Sequence, residues 1–122
     1  PLLDEARMRL LLRNLLDNAL RHGGEAGTPP ELHLRRGDGA GPDGIEIEVR
    51  DHGPGVADDQ LPHLAQAFYR PDRARSRDAG GVGLGLYLCR LVAQAHGGRF
   101  ALRNAHPGLA VTVALPGGVV AP

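Results

Sequence analysis

The chain has 122 residues, enough for one compact domain, and 42% of them are hydrophobic, enough for a small core. Acidic and basic residues balance at 14 each, which argues against a general nucleic-acid or membrane-surface binder. Every basic residue is arginine, and the absence of lysine excludes a P-loop, the strand lysine of a protein-kinase fold and a Schiff-base enzyme.

Residues 4–22, DEARMRLLLRNLLDNALRH, predict a helix with Asp4 as its N-cap. Leu11, Leu12, Leu15, Leu16, Ala19 and Leu20 form its apolar stripe, and Gly23–Gly24 stops it. EAGTPP, 25–30, is a linker. ELHLRR, 31–36, and GIEIEVRD, 44–51, alternate apolar and polar residues and predict a hairpin around the loop GDGAGPDG. DHGPGV, 51–56, is a tight turn, and DDQLPHLAQA, 58–67, a short helix with Pro62 in its first turn. FYRPDRARSRDAGG, 68–81, has no periodicity and reads as a mobile loop. A second long helix runs from Leu84 to His96, and Gly97–Gly98 closes it. GRFALRN, 98–104, and LAVTVAL, 109–115, form a second hairpin around HPG, and 116–122 is a flexible tail. The order predicts an α+β fold: a two-layer sandwich with helices on one face of a mixed, mostly antiparallel sheet. The lone Cys89, in an apolar helical pattern, reads as a small core residue, and no Cys/His cluster has zinc spacing.

Four polar features stand out. Asn14 and Asn18 are four residues apart on one helix face, continued by Arg21 and His22. Asparagine is a poor helix former, an amide oxygen is a hard ligand suited to Mg²⁺, and arginine can meet phosphate; a solvated polar face is the alternative. Asp51 ends a strand in DHGPG, where Gly53 and Gly55 let the backbone pass close to something. Its carboxylate can accept from an exocyclic amine such as adenine's, although Asp-x-Gly is also a common turn. Gly80, Gly81, Gly83 and Gly85 lead straight into a helix N-terminus, whose free N–H groups and dipole favour phosphate. Arg70, Arg73, Arg75 and Arg77 lie just upstream, as in a lid that closes over phosphates or in a merely solvated loop.

Taken in order, NLLDNALRH, DHGPG, FYRPD and GGVGLGLYL resemble the N, first glycine, F and second glycine boxes of sensor histidine kinase ATP-binding domains. That superfamily also holds gyrase and MutL. The resemblance covers Asp4 to Leu115 and implies a Bergerat-type ATP-binding fold. It implies a domain, 1–122, that binds Mg-ATP and supplies the γ-phosphate for a histidine on a separate dimerisation domain. It assigns Asn18 to Mg²⁺, Asn14 to the neighbourhood of the phosphates, and Arg21 to phosphate with His22 close by. It assigns Asp51 to the adenine amine in a pocket shaped by Gly53 and Gly55. Phe68 would anchor the lid and Arg70 reach the γ-phosphate, while Gly81, Gly83 and Gly85, with Leu84 and Leu86 between and after them, wrap the triphosphate. ATP-hydrolysing relatives carry a Glu four residues before the metal Asn; here that position is Asn14, so phosphoryl transfer is expected over hydrolysis.

None of the six histidines lies in a phosphoacceptor context, so the chain is expected not to phosphorylate itself. One or two strands usually precede the N-box helix in this family, so the chain is expected to be N-terminally truncated, with an open sheet edge. The implied partners are the histidine-bearing helices and a response regulator, with no nucleic acid and no direct membrane contact, in the cytoplasm. The alternatives are a stand-alone anti-sigma-factor serine kinase and a scaffold that binds no nucleotide. Without ligand, residues 70–82 are expected to be poorly ordered or displaced.

Overall fold

The computed structural model describes residues 5–23, 27–36, 44–66 and 85–116, with the side chains of 5, 22 and 23 left out. The expected lid, with Phe68, Arg70, Gly81, Gly83 and Leu84, the hairpin loop 37–43 and the tail 117–122 lie outside the described residues.

Among the described residues, two helices and four strands carry the fold: α1 (Glu5–Gly23), β1 (Glu31–Arg36), β2 (Ile45–Arg50), α2 (Gly85–Ala95), β3 (Arg99–Asn104) and β4 (Leu109–Leu115). The described strands form one sheet in the order β1-β2-β4-β3. Every pairing in it is antiparallel, with Leu34 opposite Ile47, Ile47 opposite Val113 and Val113 opposite Phe100. Strand alternation sends Ile47, Val49, Val111 and Val113 to one face, where Leu11, Leu15, Ala19, Leu86, Cys89, Val92 and Ala93 of the helices close over them. The expected two-layer sandwich is what forms.

Packing narrows the apolar stripe of α1. Leu11 and Leu15 are fully buried, whereas Leu16 and Leu20 are exposed. Leu32 and Leu34 of β1 are also exposed, at 48% and 65%. The topology explains both: α1 packs on β2 and α2 on β3 and β4, so the edge strand β1 has little over it. The expected short helix after the tight turn is a 3-10 helix, Asp58–His63. Its bonds run from Gln60 N–H to the Ala57 carbonyl and from Leu64 N–H to the Leu61 carbonyl. Pro62 sits inside this helix, not in the first turn of an α-helix, and lacks the amide that an α-helical continuation requires. Cys89 is wholly buried, its Sγ 3.6 Å from the Leu11 carbonyl, and burial pushes the thiol up to about 12. It is the core residue the sequence predicts.

Candidate functional site

Asp51 extends the ladder of β2 by one residue: its N–H donates to the Leu109 carbonyl at 3.0 Å. Its side chain is then turned back into the protein, and only 2% of the residue is exposed. Oδ1 accepts the Gly53 N–H at 2.9 Å and the Leu109 N–H at 3.3 Å. The first bond is an Asx turn, which bends the chain at Gly53. The second ties the turn to the start of β4. Oδ2 takes no hydrogen bond from the described residues, so one oxygen of a buried, rigidly held carboxylate is left to accept from elsewhere.

The tip of the β3–β4 hairpin closes this turn from below. Gly108 has φ +90, and a Cβ there would run into the Asp51 carbonyl, so only glycine fits. Arg50 reaches the same tip, donating from Nη2 to the Pro107 carbonyl at 3.1 Å. On the other side, His52 Nε2 and Glu31 Oε2 of β1 lie 2.6 Å apart, and His33 Nε2 is 3.0 Å from Glu31 Oε1. These two imidazoles hold the Glu31 carboxyl below the usual carboxylate range. The outgoing limb passes through Gly55, at φ +72, and is bonded to Asn104 at the end of β3. Asn104 and Gly108 were not signalled by the sequence: an Asn at a strand end and a Gly in a hairpin turn are ordinary, and only the fold brings them to Asp51.

The second group lies between the helices. Asn14 is half-buried on the side of α1 that faces α2, and its Oδ1 is 4.0 Å from where a Cβ of Gly85 would stand. Gly85 is the first residue of α2, whose leading N–H groups have no partner within the helix. The Asn14 Nδ2 is buried and has no hydrogen-bond partner among the described residues. Such a group ordinarily costs about 1–3 kcal/mol, and the Nε atoms of Arg50 and Arg90 are likewise buried with no hydrogen-bond partner among the described residues. Asn18, one turn on, is half-buried and Arg21 is exposed, both along the same face; His22 falls in the last turn. Among the described residues no group of three His, Cys, Asp or Glu is placed to hold a metal ion.

The chain matches the family model for histidine kinase-, DNA gyrase B-, and HSP90-like ATPases over residues 3–118. It belongs to that family. Among curated proteins it is 42% identical over 115 residues to the signal transduction histidine-protein kinase AfsQ2 of Streptomyces coelicolor, an alignment covering 93% of this chain and 20% of that protein. It is 38% identical over 114 residues to BaeS of Escherichia coli, covering 93% and 23%. The chain thus spans about a fifth of the length of these kinases. Among solved structures it resembles the mycobacterial sensor histidine kinase MprB, with TM-score 0.78 and 29% identity over 93% of this chain and 74% of that one. It also resembles full-length ShkA crystallised with AMPPNP, with TM-score 0.77 and 28% identity over 98% of this chain and 23% of that one.

Within the family frame, Asp51, Gly53 and Gly55 form one turn, and Asn14 meets Gly85 across the helix pair. Leu86, named with the glycines in the resemblance, is 7% exposed and packed into the core, with its backbone in the first turn of α2.

Proposed function

We propose that this domain binds ATP with Mg²⁺ and supplies the γ-phosphoryl group to a histidine on a separate helical dimerisation domain, as the catalytic part of a two-component sensor kinase. The observation that carries the reading is the Asp51 carboxylate, buried, fixed through Oδ1 by two backbone N–H groups and with no hydrogen bond at Oδ2 among the described residues. An adenine exocyclic amine is a donor that such an oxygen can select, whereas a guanine keto oxygen at the same ring position would be repelled. AMPPNP in the ShkA structure is consistent with this class of ligand.

The phosphate end fits the same ligand. The buried Asn14 Nδ2, without a partner among the described residues, is a donor beside the first residue of α2, where helix N–H groups favour an anion. The Asn18 amide oxygen would hold Mg²⁺, an ion that usually takes few protein ligands beside phosphate oxygens and water. When bound, the ion would neutralise part of the phosphates' negative charge. Arg21 would add positive charge along the same face, with His22 near it. Arg70, Phe68, Gly81, Gly83 and Leu84 enter the proposal by their place in the sequence motifs alone.

In the transfer, a neutral imidazole nitrogen forms a bond to the γ-phosphorus while the bond to the β–γ bridging oxygen breaks and ADP leaves. Asn14 stands where a hydrolytic relative would hold a carboxylate base. An amide cannot take a proton from water at neutral pH, but an imidazole lone pair needs no such help. The chain's own contribution is therefore positioning and electrostatic stabilisation, and water is the poorer acceptor. The acceptor helices and a response regulator are the proposed partners, and the cytoplasm, which holds ATP, is the proposed location. No described helix is long and apolar enough to cross a membrane.

Calorimetric titration with ADP and AMPPNP, with and without Mg²⁺, tests this reading. Wild type is expected to bind both, more tightly with Mg²⁺; Asn18→Ala is expected to lose the magnesium increment. Asp51→Asn puts a donor where the amine must be met and is expected to weaken binding about 100-fold, the scale of an unpaired buried contact. Equal binding by wild type and Asp51→Asn would refute the adenine role.

A further inference from the structure

Asn104 is the last residue of β3, yet its side chain works on the Asp51 turn 48 residues upstream. Its Oδ1 accepts the Val56 N–H at 3.1 Å, and its Nδ2 donates to the Val56 carbonyl at 2.7 Å. Nδ2 also donates to the Asp58 carboxylate at 3.0 Å. One carboxamide thus pairs with both backbone groups of Val56, a residue outside the sheet, much as a neighbouring strand would. The contact is close: a Cβ on Gly55 would stand 2.7 Å from the Asn104 Oδ1. The turn is therefore pinned twice. Leu109 holds the entry at Asp51, and Asn104 holds the exit at Val56, with Gly53, Pro54 and Gly55 stretched between.

Few side chains can do this. Aspartate keeps the acceptor but has no N–H for the Val56 carbonyl and meets the Asp58 carboxylate as a like charge. Serine is too short to reach both groups, and alanine reaches neither. Glycine-rich backbone has little stiffness of its own, so the path from Gly53 to Gly55 depends on its two ends.

We propose that Asn104 is a positioning residue for base recognition: by fixing the exit of the Asp51 turn, it fixes the direction in which the Asp51 Oδ2 and the Gly53–Gly55 backbone are offered to the base. The inference rests on the nucleotide-binding reading above. It assigns Asn104 no contact with the nucleotide.

The test compares ADP with IDP, whose base carries a keto oxygen in place of the adenine amine. Both are titrated calorimetrically with Mg²⁺ into wild type, Asn104→Ala and Asn104→Asp. Wild type is expected to prefer ADP. In Asn104→Ala the ADP affinity is expected to fall about tenfold while IDP changes by no more than about twofold, so discrimination shrinks. Asn104→Asp, which keeps one of the two Val56 bonds, is expected to fall between. Amide exchange at Val56, followed without nucleotide, should quicken in Asn104→Ala. A merely structural role would lower the melting temperature and move both nucleotides alike, leaving the ADP:IDP ratio as in wild type; that result overturns the inference. Should Asn104→Ala not fold, the same ratio is read from Asn104→Asp alone, and an unchanged ratio there overturns it too. Wild type binding neither nucleotide would instead overturn the nucleotide reading itself, and this inference with it.

Discussion

The two ends of the site are built in opposite ways. At Asp51 side chains pair with the backbone of the turn itself: Oδ1 takes two backbone N–H groups, Asn104 takes both backbone groups of Val56, and Gly108 fits only because it has no side chain, while the buried Arg50 Nε has no partner among the described residues. At Asn14 a buried amide nitrogen beside the start of α2 has no partner among the described residues. A recognition element that must discriminate between bases gains from rigidity, because a loose acceptor would follow either base. A phosphate-binding element gains from donors that are not already spent on the protein. Polar residues at the first end hold the fold as well as the ligand, and those at the second serve chiefly the ligand.

Substitutions separate the two ends. The largest effect is expected from Gly108→Ala, which combines an unfavourable positive φ with a collision against the Asp51 backbone. Its cost should be on the order of 3 kcal/mol, read as a lowered denaturant midpoint. A loss below about 1 kcal/mol would mean that the hairpin tip gives way easily and the turn is not rigidly held.

Asn14→Ala should behave in the reverse manner. It removes a buried amide that has no partner among the described residues and replaces a poor helix former with the best one, so stability should stay level or rise by up to about 1 kcal/mol. Nucleotide affinity should fall in the same variant. A clear drop in melting temperature would show the amide to be structural and would dissolve the contrast.

The smallest effect concerns Glu31, which braces His52 beside the turn. Hydrogen bonds from His33 and His52 lower its pKa from the ordinary 4.5. A depressed folded-state pKa contributes stability above the unfolded value, and that contribution is lost as pH falls from 4.5 through the lowered value. Acid unfolding monitored by circular dichroism should therefore show wild type losing more stability than Glu31→Gln over that window. Parallel curves would leave the brace without energetic weight, as exposed pairs often are.

How far the sequence could be read follows from how local each signal is. The limits of α1 and of the four strands came within a residue or two, because periodicity and glycine stops are carried by adjacent residues. Asp51 with Gly53 and Gly55 was legible for the same reason: the Asx turn spans two residues. What escaped was set by the fold. Leu16, Leu20, Leu32 and Leu34 match a buried pattern, yet lie where β1 forms the edge and α1 sits over β2. The sequence places Pro62 in the first turn of a short helix, whereas it sits inside a 3-10 helix. Asn104 and Gly108 carry no local mark, since their partners are about 50 residues away and meet them only once β4 has paired with both β2 and β3.

The most direct test is a crystal structure of the domain with ADP and Mg²⁺. The adenine amine is expected within hydrogen-bond range, about 3 Å, of the Asp51 Oδ2. The Asn18 amide oxygen is expected to hold the metal, and the phosphates are expected beside Asn14 and the start of α2. An adenine turned away from Asp51, or phosphates bound elsewhere than between α1 and α2, would contradict this reading.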